Sequence, residues 1–340
     1  MNKSLMYTTI AQLFAGSKGL LAMDESTPTC DERFAAAGIP QTVEMRRNYR
    51  ELIVTTPGLS ESIGGAILYD ETIRQETSDG VPFARALEQA GIIPGIKVDT
   101  GAKPMAGSPG ETITEGLDGL RERLAEYKAM GARFAKWRAV ITIGDGLPSS
   151  TSMQANVHAL VRYAALCQEA DIVPIVEPEV VMTGGHGLER CYAVTQHVLK
   201  LLFFQCFQFG IDLQGLILKP NMVIAGEESR TQNSVDEVAE ATVRCLRASV
   251  PATVPAIAFL SGGQAPALAA AHLNTMHTGF GDRLPWLVSF SFARAIQQPA
   301  LDAWKGEPAN VAEAQSLLYE AAKSAAAARQ GRNAGAMQHA

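Results

Sequence analysis

The chain has 340 residues, 47% of them hydrophobic, enough to bury a large core in one big domain or two ordinary ones. With 19% charged residues and a formal net charge of −6 it carries no basic footprint, which argues against nucleic acid as a partner. No apolar run reaches the length of a membrane span, and the opening MNKSLMYTTIAQLF lacks the apolar stretch and cleavage site of a secretory signal.

The first predicted strand, 19–24, brings Asp24 to its C-terminal end, with the Ser26 and Thr29 hydroxyls just beyond. The same Asp-Glu-Ser-Thr turn also reads as an ordinary helix cap. A helix over 42–55 follows, then a strand over 63–69 that leads into Asp70, Glu71 and a helix near 81–90. Strand 92–99 carries Lys97 near its end and opens on a long Gly- and Pro-rich loop, which can be functional or a plain connector. The spacing then predicts a helix over 111–130, with Glu122 and Glu126 among nearby Arg and Lys side chains on a solvated face.

Alternation along strand 133–140 places Phe134, Lys136 and Arg138 on one face, where the two cations repel unless anions compensate. The next strand, 172–180, has Glu177 and Glu179 at the same spacing. Parallel neighbours with level ends set Lys136 and Arg138 against these carboxylates, either as a plain salt-bridge cluster or as reactive groups. Predicted helices over 149–170 and 187–210 flank this strand. His186 in the loop between is a metal-ligand candidate, but zinc takes three or four convergent ligands. The other histidines lie on predicted helices or the tail, so neither a metal nor another cofactor is expected.

The apolar stretch 213–223 reads as a sixth strand that delivers Lys219 to its C-terminal end, where Pro220 stops the pairing. A helix over 234–249 precedes the seventh strand, 256–263, whose Ser261, Gly262 and Gly263 let backbone N–H groups approach an anion at the start of a helix over 264–278. Strand 287–294 ends on Ala293 and Arg294, and a guanidinium fork there suits a phosphate. Helices at 297–304 and 308–328 close a domain expected over 1–329, and 330–340 reads as a flexible tail. The five cysteines are odd in number, widely spaced and without a C-x-x-C pair, as suits free thiols in a reducing cytoplasm.

Eight strand-then-helix units without a linker predict one (β/α)8 barrel, with the polar residues named above at or near the C-terminal strand ends that form an active-site mouth. Lys136 and Arg138 crowd Lys219, and like charge and partial desolvation both disfavour its ammonium form. A neutral amine attacks a ketone, and the protonated imine that results is an electron sink for breaking a carbon–carbon bond. Glu177 and Glu179 can divide the work of proton carrier and fixed charge. Two anion sites, Ser261-Gly262-Gly263 with Arg294 and Ser26/Thr29 with Lys97, suit a sugar phosphorylated at both ends.

The motifs LAMDEST, GIKVD, ETITEGLDGL, FAKWR, VPIVEPE, LILKPNMV, FLSGGQ and FSFARA occur in this order. From about residue 19 to 330 the chain resembles the class I, Schiff-base-forming fructose-bisphosphate aldolases, and its LAMDES start and Ala293-Arg294 pair look closer to plastid-type members than to animal ones. The resemblance implies that Lys219 is the Schiff-base lysine and Glu177 the proton relay. It implies that Lys136, Asp24 and Glu179 assist dehydration, position substrate hydroxyls and hold the lysines, supported by Arg138. Ser261, Gly262, Gly263, Ser291, Ala293 and Arg294 would face the dihydroxyacetone-phosphate half, and Ser26, Thr29, Arg33 and Lys97 the other phosphate. The implied protein is a cytoplasmic homotetramer of glycolysis and gluconeogenesis that needs no cofactor.

Three departures stand out. The last tyrosine is Tyr319, where relatives commonly end on one that assists proton exchange, so another group does that step or turnover is slower. Glu32 and Thr100 stand where the family usually has lysine, which thins positive charge near the distal phosphate. Competing expectations are another Schiff-base sugar-phosphate aldolase or transaldolase-like barrel, a metal-dependent aldolase, and a scaffolding protein on the same fold.

Overall fold

In the computed structural model, which describes residues 2–332, the chain opens on α1 (Lys3–Leu13), a helix absent from the elements predicted above. Asn2 caps it by accepting from the Leu5 N–H. β1 (Gly19–Ala22), α2 (Thr27–Ala36) and α3 (Val43–Val54) follow, then β2 (Ile63–Leu68), the single turn α4 (Asp70–Ile73), α5 (Phe83–Gln89) and β3 (Ile93–Lys97). The long loop after β3 folds into a hairpin of β4 (Ala102–Pro104) and β5 (Thr112–Thr114). Next come α6 (Leu120–Ala129), β6 (Phe134–Ile141), α7 (Ser150–Glu169), β7 (Val173–Val180) and α8 (Leu188–Gln208). β8 (Ile217–Leu218), α9 (Val235–Arg247), β9 (Ala256–Phe259), α10 (Pro266–Phe280), β10 (Leu287–Phe292), α11 (Arg294–Trp304) and α12 (Val311–Ala328) complete the chain.

Eight of these strands pair in parallel and close into a barrel in the order β1-β10-β9-β8-β7-β6-β3-β2. This is the expected (β/α)8 architecture, and it places β3 directly across the barrel from β9. The interior is filled by residues such as Leu20, Ile67, Phe134, Val173 and Ile217, and Met6, Ile10 and Leu13 of α1 pack onto them. Gly64 lets α1 come this close, because a Cβ there would stand 1.9 Å from the Leu13 carbonyl oxygen. On the outer layer Trp137 of β6 packs on Tyr163 of α7, ring centroids 5.6 Å apart, and the Tyr163 hydroxyl bonds the backbone of Ile175.

Three expectations need correction. The helix predicted over 111–130 is only α6; Gly116 and Gly119 take positive φ of 124° and 64°, which ends any helix upstream. The ion partners on α6 are also not its own neighbours, since Glu126 pairs with Arg74 and Arg121 with Glu169. The stretch 213–223 is not one long strand: Leu213–Gly215 forms a 3-10 turn, and β8 has two residues. Of the tail expected over 330–340, residues 333–340 lie outside the described residues.

Candidate active site

All the site residues singled out from sequence except Arg33 line one cavity of about 880 Å³ at the C-terminal ends of the barrel strands. Register explains how the charges meet. β6 and β7 are offset by two residues relative to the level ends expected, so Arg138 lies beside Glu177 and Lys136 beside Ile175. The side chains then cross the step diagonally: Lys136 Nζ is 3.0 Å from Glu177 Oε2, and Arg138 Nε is 2.5 Å from Glu179 Oε2.

Glu177 is the hub. Its other oxygen, Oε1, is 3.1 Å from Lys219 Nζ, and Lys136 also reaches Asp24 Oδ2 at 2.7 Å. Lys219, which follows the two-residue β8, is held in place by its backbone N–H donating to the Val176 carbonyl. Lys136, Glu177 and Lys219 are each only 3% exposed, so these charges face one another rather than water. Burial works against ionising Asp24, yet Lys136 and then Lys219 outweigh it and hold the carboxyl down at about 2. Burial likewise opposes ionisation of Glu177, and Lys136, Lys219 and Arg138 together pull it below the usual carboxylate range. Lys136 is the reciprocal case: desolvation disfavours the ammonium, but Asp24 and Glu177 raise it above an ordinary lysine. The cations expected to crowd Lys219 therefore arrive with their own anions.

One wall is built by the turn after β9. Gly262 and Gly263 have φ of 61° and 93°, and a Cβ on Gly263 would come within 3.2 Å of Arg294 Nη2. Gln264 braces this turn, donating through Nε2 to the Ser261 carbonyl while Oε1 contacts His272 Nδ1 at 2.7 Å. The Ser291 hydroxyl is buried in the same wall without a hydrogen-bond partner among the described residues.

Beyond β1, the neighbour of β10 in the barrel, the Ser26 and Thr29 hydroxyls are 3.1 Å apart at the start of α2, and Ser26 makes no side-chain cap. Lys97 bonds Asp99 Oδ1 at 2.7 Å. Arg33 is the exception to the expected set. Its guanidinium turns to Glu25 at 2.6 Å and to Gln297 and Gln298, and it does not line the cavity.

Asp99 and Lys103 are among the lining residues outside the set drawn from sequence. Asp99, 6% exposed, holds Lys97 and accepts from the backbone N–H groups of Arg138 and Gly101. Its signal was legible as a charge two residues after Lys97, the spacing that also marks 136/138 and 177/179. Lys103, on β4, had no such pattern. His186 has both ring nitrogens buried without partners, and no group of three or more His, Cys, Asp or Glu is arranged to hold a metal among the described residues.

A closed parallel barrel with its buried charges gathered at the C-terminal mouth defines a (β/α)8-barrel enzyme. Residues 5–340 match the family described as fructose-bisphosphate aldolase class-I. A "Probable fructose-bisphosphate aldolase class 1" of Xanthomonas campestris is 57% identical over 316 residues, 93% of this chain and 94% of that one. "Fructose-bisphosphate aldolase 6, cytosolic" of Arabidopsis thaliana is 47% identical over 88% of this chain and 84% of its own. A solved structure of fructose-bisphosphate aldolase from Plasmodium falciparum, in complex with TRAP and a small molecule inhibitor, superposes with a TM-score of 0.95 at 42% identity, covering 97% of this chain and 95% of that one. The chain belongs to the class I fructose-bisphosphate aldolase family.

Proposed function

We propose that this chain reversibly cleaves fructose 1,6-bisphosphate to dihydroxyacetone phosphate and glyceraldehyde 3-phosphate, a step of glycolysis and gluconeogenesis, with Lys219 as the nucleophile. The observation that carries the choice of Lys219 is Glu177, one carboxylate in contact with two buried lysines. Unprotonated Lys219 Nζ adds to the C2 carbonyl. Glu177 carries the proton the amine gives up to the C2 oxygen, making the carbinolamine hydroxyl, and then delivers a second proton, drawn from solvent and returned when the imine is hydrolysed, so that the hydroxyl departs as water and leaves a protonated imine. Removal of the C4 hydroxyl proton then turns that oxygen into the aldehyde of the first product, and the C3–C4 electron pair flows into the imine to give an enamine. Protonation at C3 and addition of water release dihydroxyacetone phosphate and restore the amine. Asp24 and Lys136 hold the substrate hydroxyls, Glu179 fixes Arg138, and Ser261 to Gly263, Ser291 and Arg294 receive the phosphate on C1.

Formation of triose phosphate from fructose 1,6-bisphosphate by the purified chain tests the activity, and its absence at any substrate concentration would sink the reading. A cytosolic location is supported by five cysteines that are all buried and free, and by relatives named cytosolic. The homotetramer implied by family resemblance belongs to the same proposal; Phe204 and Phe207 on α8, 58% and 83% exposed, offer it apolar surface to bury, and a sizing run decides it.

A further inference from the structure

The cavity is lined by the cations Lys97, Lys103, Lys136, Arg138, Lys219 and Arg294. Lys97, Lys136, Arg138 and Lys219 each touch a carboxylate within 3.1 Å. Lys103 and Arg294 have no ion-pair partner among the described residues, and both are exposed. Their placement is not symmetrical about Lys219. Arg294 stands beside the turn after β9, the strand next to β8 and its lysine, whereas Lys103 sits on the hairpin that follows β3, across the barrel from β9.

The substrate's own geometry distinguishes these two positions. If C2 bonds to Lys219, the phosphate on neighbouring C1 falls on the near side, at the β9 turn and Arg294. The phosphate on C6, four carbons beyond C2, must reach the far side. Lys97 is already held by Asp99 there, Arg33 faces Glu25, and Thr100 brings no charge. Among the described residues Lys103 is the lining cation on that side with no carboxylate against it.

The hairpin that presents it is braced rather than loose. Ala102, Lys103 and Pro104 pair with Thr114, Ile113 and Thr112. At its root Asp99 accepts from the Gly101 N–H while holding Lys97, and the Thr100 N–H donates to the Glu115 carbonyl. At its far end Glu111 accepts from both the backbone and the hydroxyl of Ser149 at the start of α7. An ammonium on such a support loses little conformational freedom on meeting an anion beyond that of its own side chain.

We propose that Lys103 binds the phosphate on C6 and sets the preference for a bisphosphate over a sugar phosphorylated only at C1. This rests on the aldolase reading given above. The test compares kcat/KM for fructose 1,6-bisphosphate and fructose 1-phosphate in the parent protein, Lys103→Met and Lys103→Arg. In Lys103→Met the bisphosphate-to-monophosphate ratio should fall about tenfold, carried by KM rather than kcat, as for loss of an interaction made equally in ground and transition states. Lys103→Arg should keep the ratio within about threefold of the parent, since the charge is preserved. Parent activity with an unchanged ratio in Lys103→Met overturns the role of Lys103 alone. A parent protein that cleaves neither ester overturns the aldolase reading and this inference with it.

Discussion

Glu177 Oε1 stands 3.1 Å from Lys219 Nζ, with both side chains about 95% shielded from water. A carboxylate so placed can carry a proton between the amine and the oxygen on the carbon it attacks. Glu177→Gln keeps the shape and removes the proton exchange, so kcat should fall by roughly 10²–10⁴. Steady-state kinetics at saturating substrate measures this, and a loss under about tenfold takes Glu177 out of the relay.

Lys136 has a different role in the same cluster. It compensates both Asp24 and Glu177, at 2.7 Å and 3.0 Å, in a site almost closed to water. Lys136→Met leaves two carboxylates facing each other with one fewer cation. Urea unfolding near pH 7 should show a loss of about 3–5 kcal/mol, much larger than a surface lysine gives, together with loss of activity. Wild-type stability in this variant would mean that the carboxylates are compensated from elsewhere.

Acid should destabilise the fold in two stages. His272 is buried and held at about 4 against an ordinary 6.5. Its folded value is depressed, so below pH 6.5 the unfolded chain binds the proton first, and stability falls as pH drops from there through about 4. The contribution is on the order of 3 kcal/mol. Asp24, at about 2 against 3.8, acts lower down: its stabilisation is complete above pH 3.8 and disappears as pH falls through 2. Glu177 moves in the same direction. Urea midpoints should be flat from pH 8 to 7 and decline below about 6.5. A midpoint unchanged down to pH 4 would contradict the burial of a neutral His272.

Gly263 combines a φ of 93° with a close approach to Arg294. In Gly263→Ala the added methyl meets the guanidinium at 3.2 Å and the backbone is strained by roughly 1–2 kcal/mol. KM for fructose 1,6-bisphosphate should rise several-fold. An unchanged KM would place the C1 phosphate elsewhere.

The strands that carry the site were legible because most are short apolar runs ending in charge, and one in Ser-Gly-Gly, and a parallel barrel buries such runs on both faces. Spacing alone also brought Lys136 and Arg138 to Glu177 and Glu179, but not the two-residue offset that makes the contacts diagonal. That offset depends on barrel closure, which no single strand encodes. α1 was missed because its buried residues, Met6, Thr9, Ile10 and Leu13, include a polar threonine that weakens the apolar stripe. The second strand of the hairpin was read as helix because Thr-Ile-Thr is too short a run to announce a strand against the good helix formers that follow it, and the first lay in the stretch read as loop. Arg33 sits at the expected place in the chain, yet its direction depends on Glu25, Gln297 and Gln298, partners that only the fold assembles.

The central claim is that Lys219 becomes covalently attached to substrate. Incubation with dihydroxyacetone phosphate or fructose 1,6-bisphosphate, reduction with borohydride and peptide mapping by mass spectrometry test it directly. The account predicts loss of activity with one triose-phosphate adduct, located on Lys219. An adduct on another lysine, or an unmodified and still active chain, would contradict it.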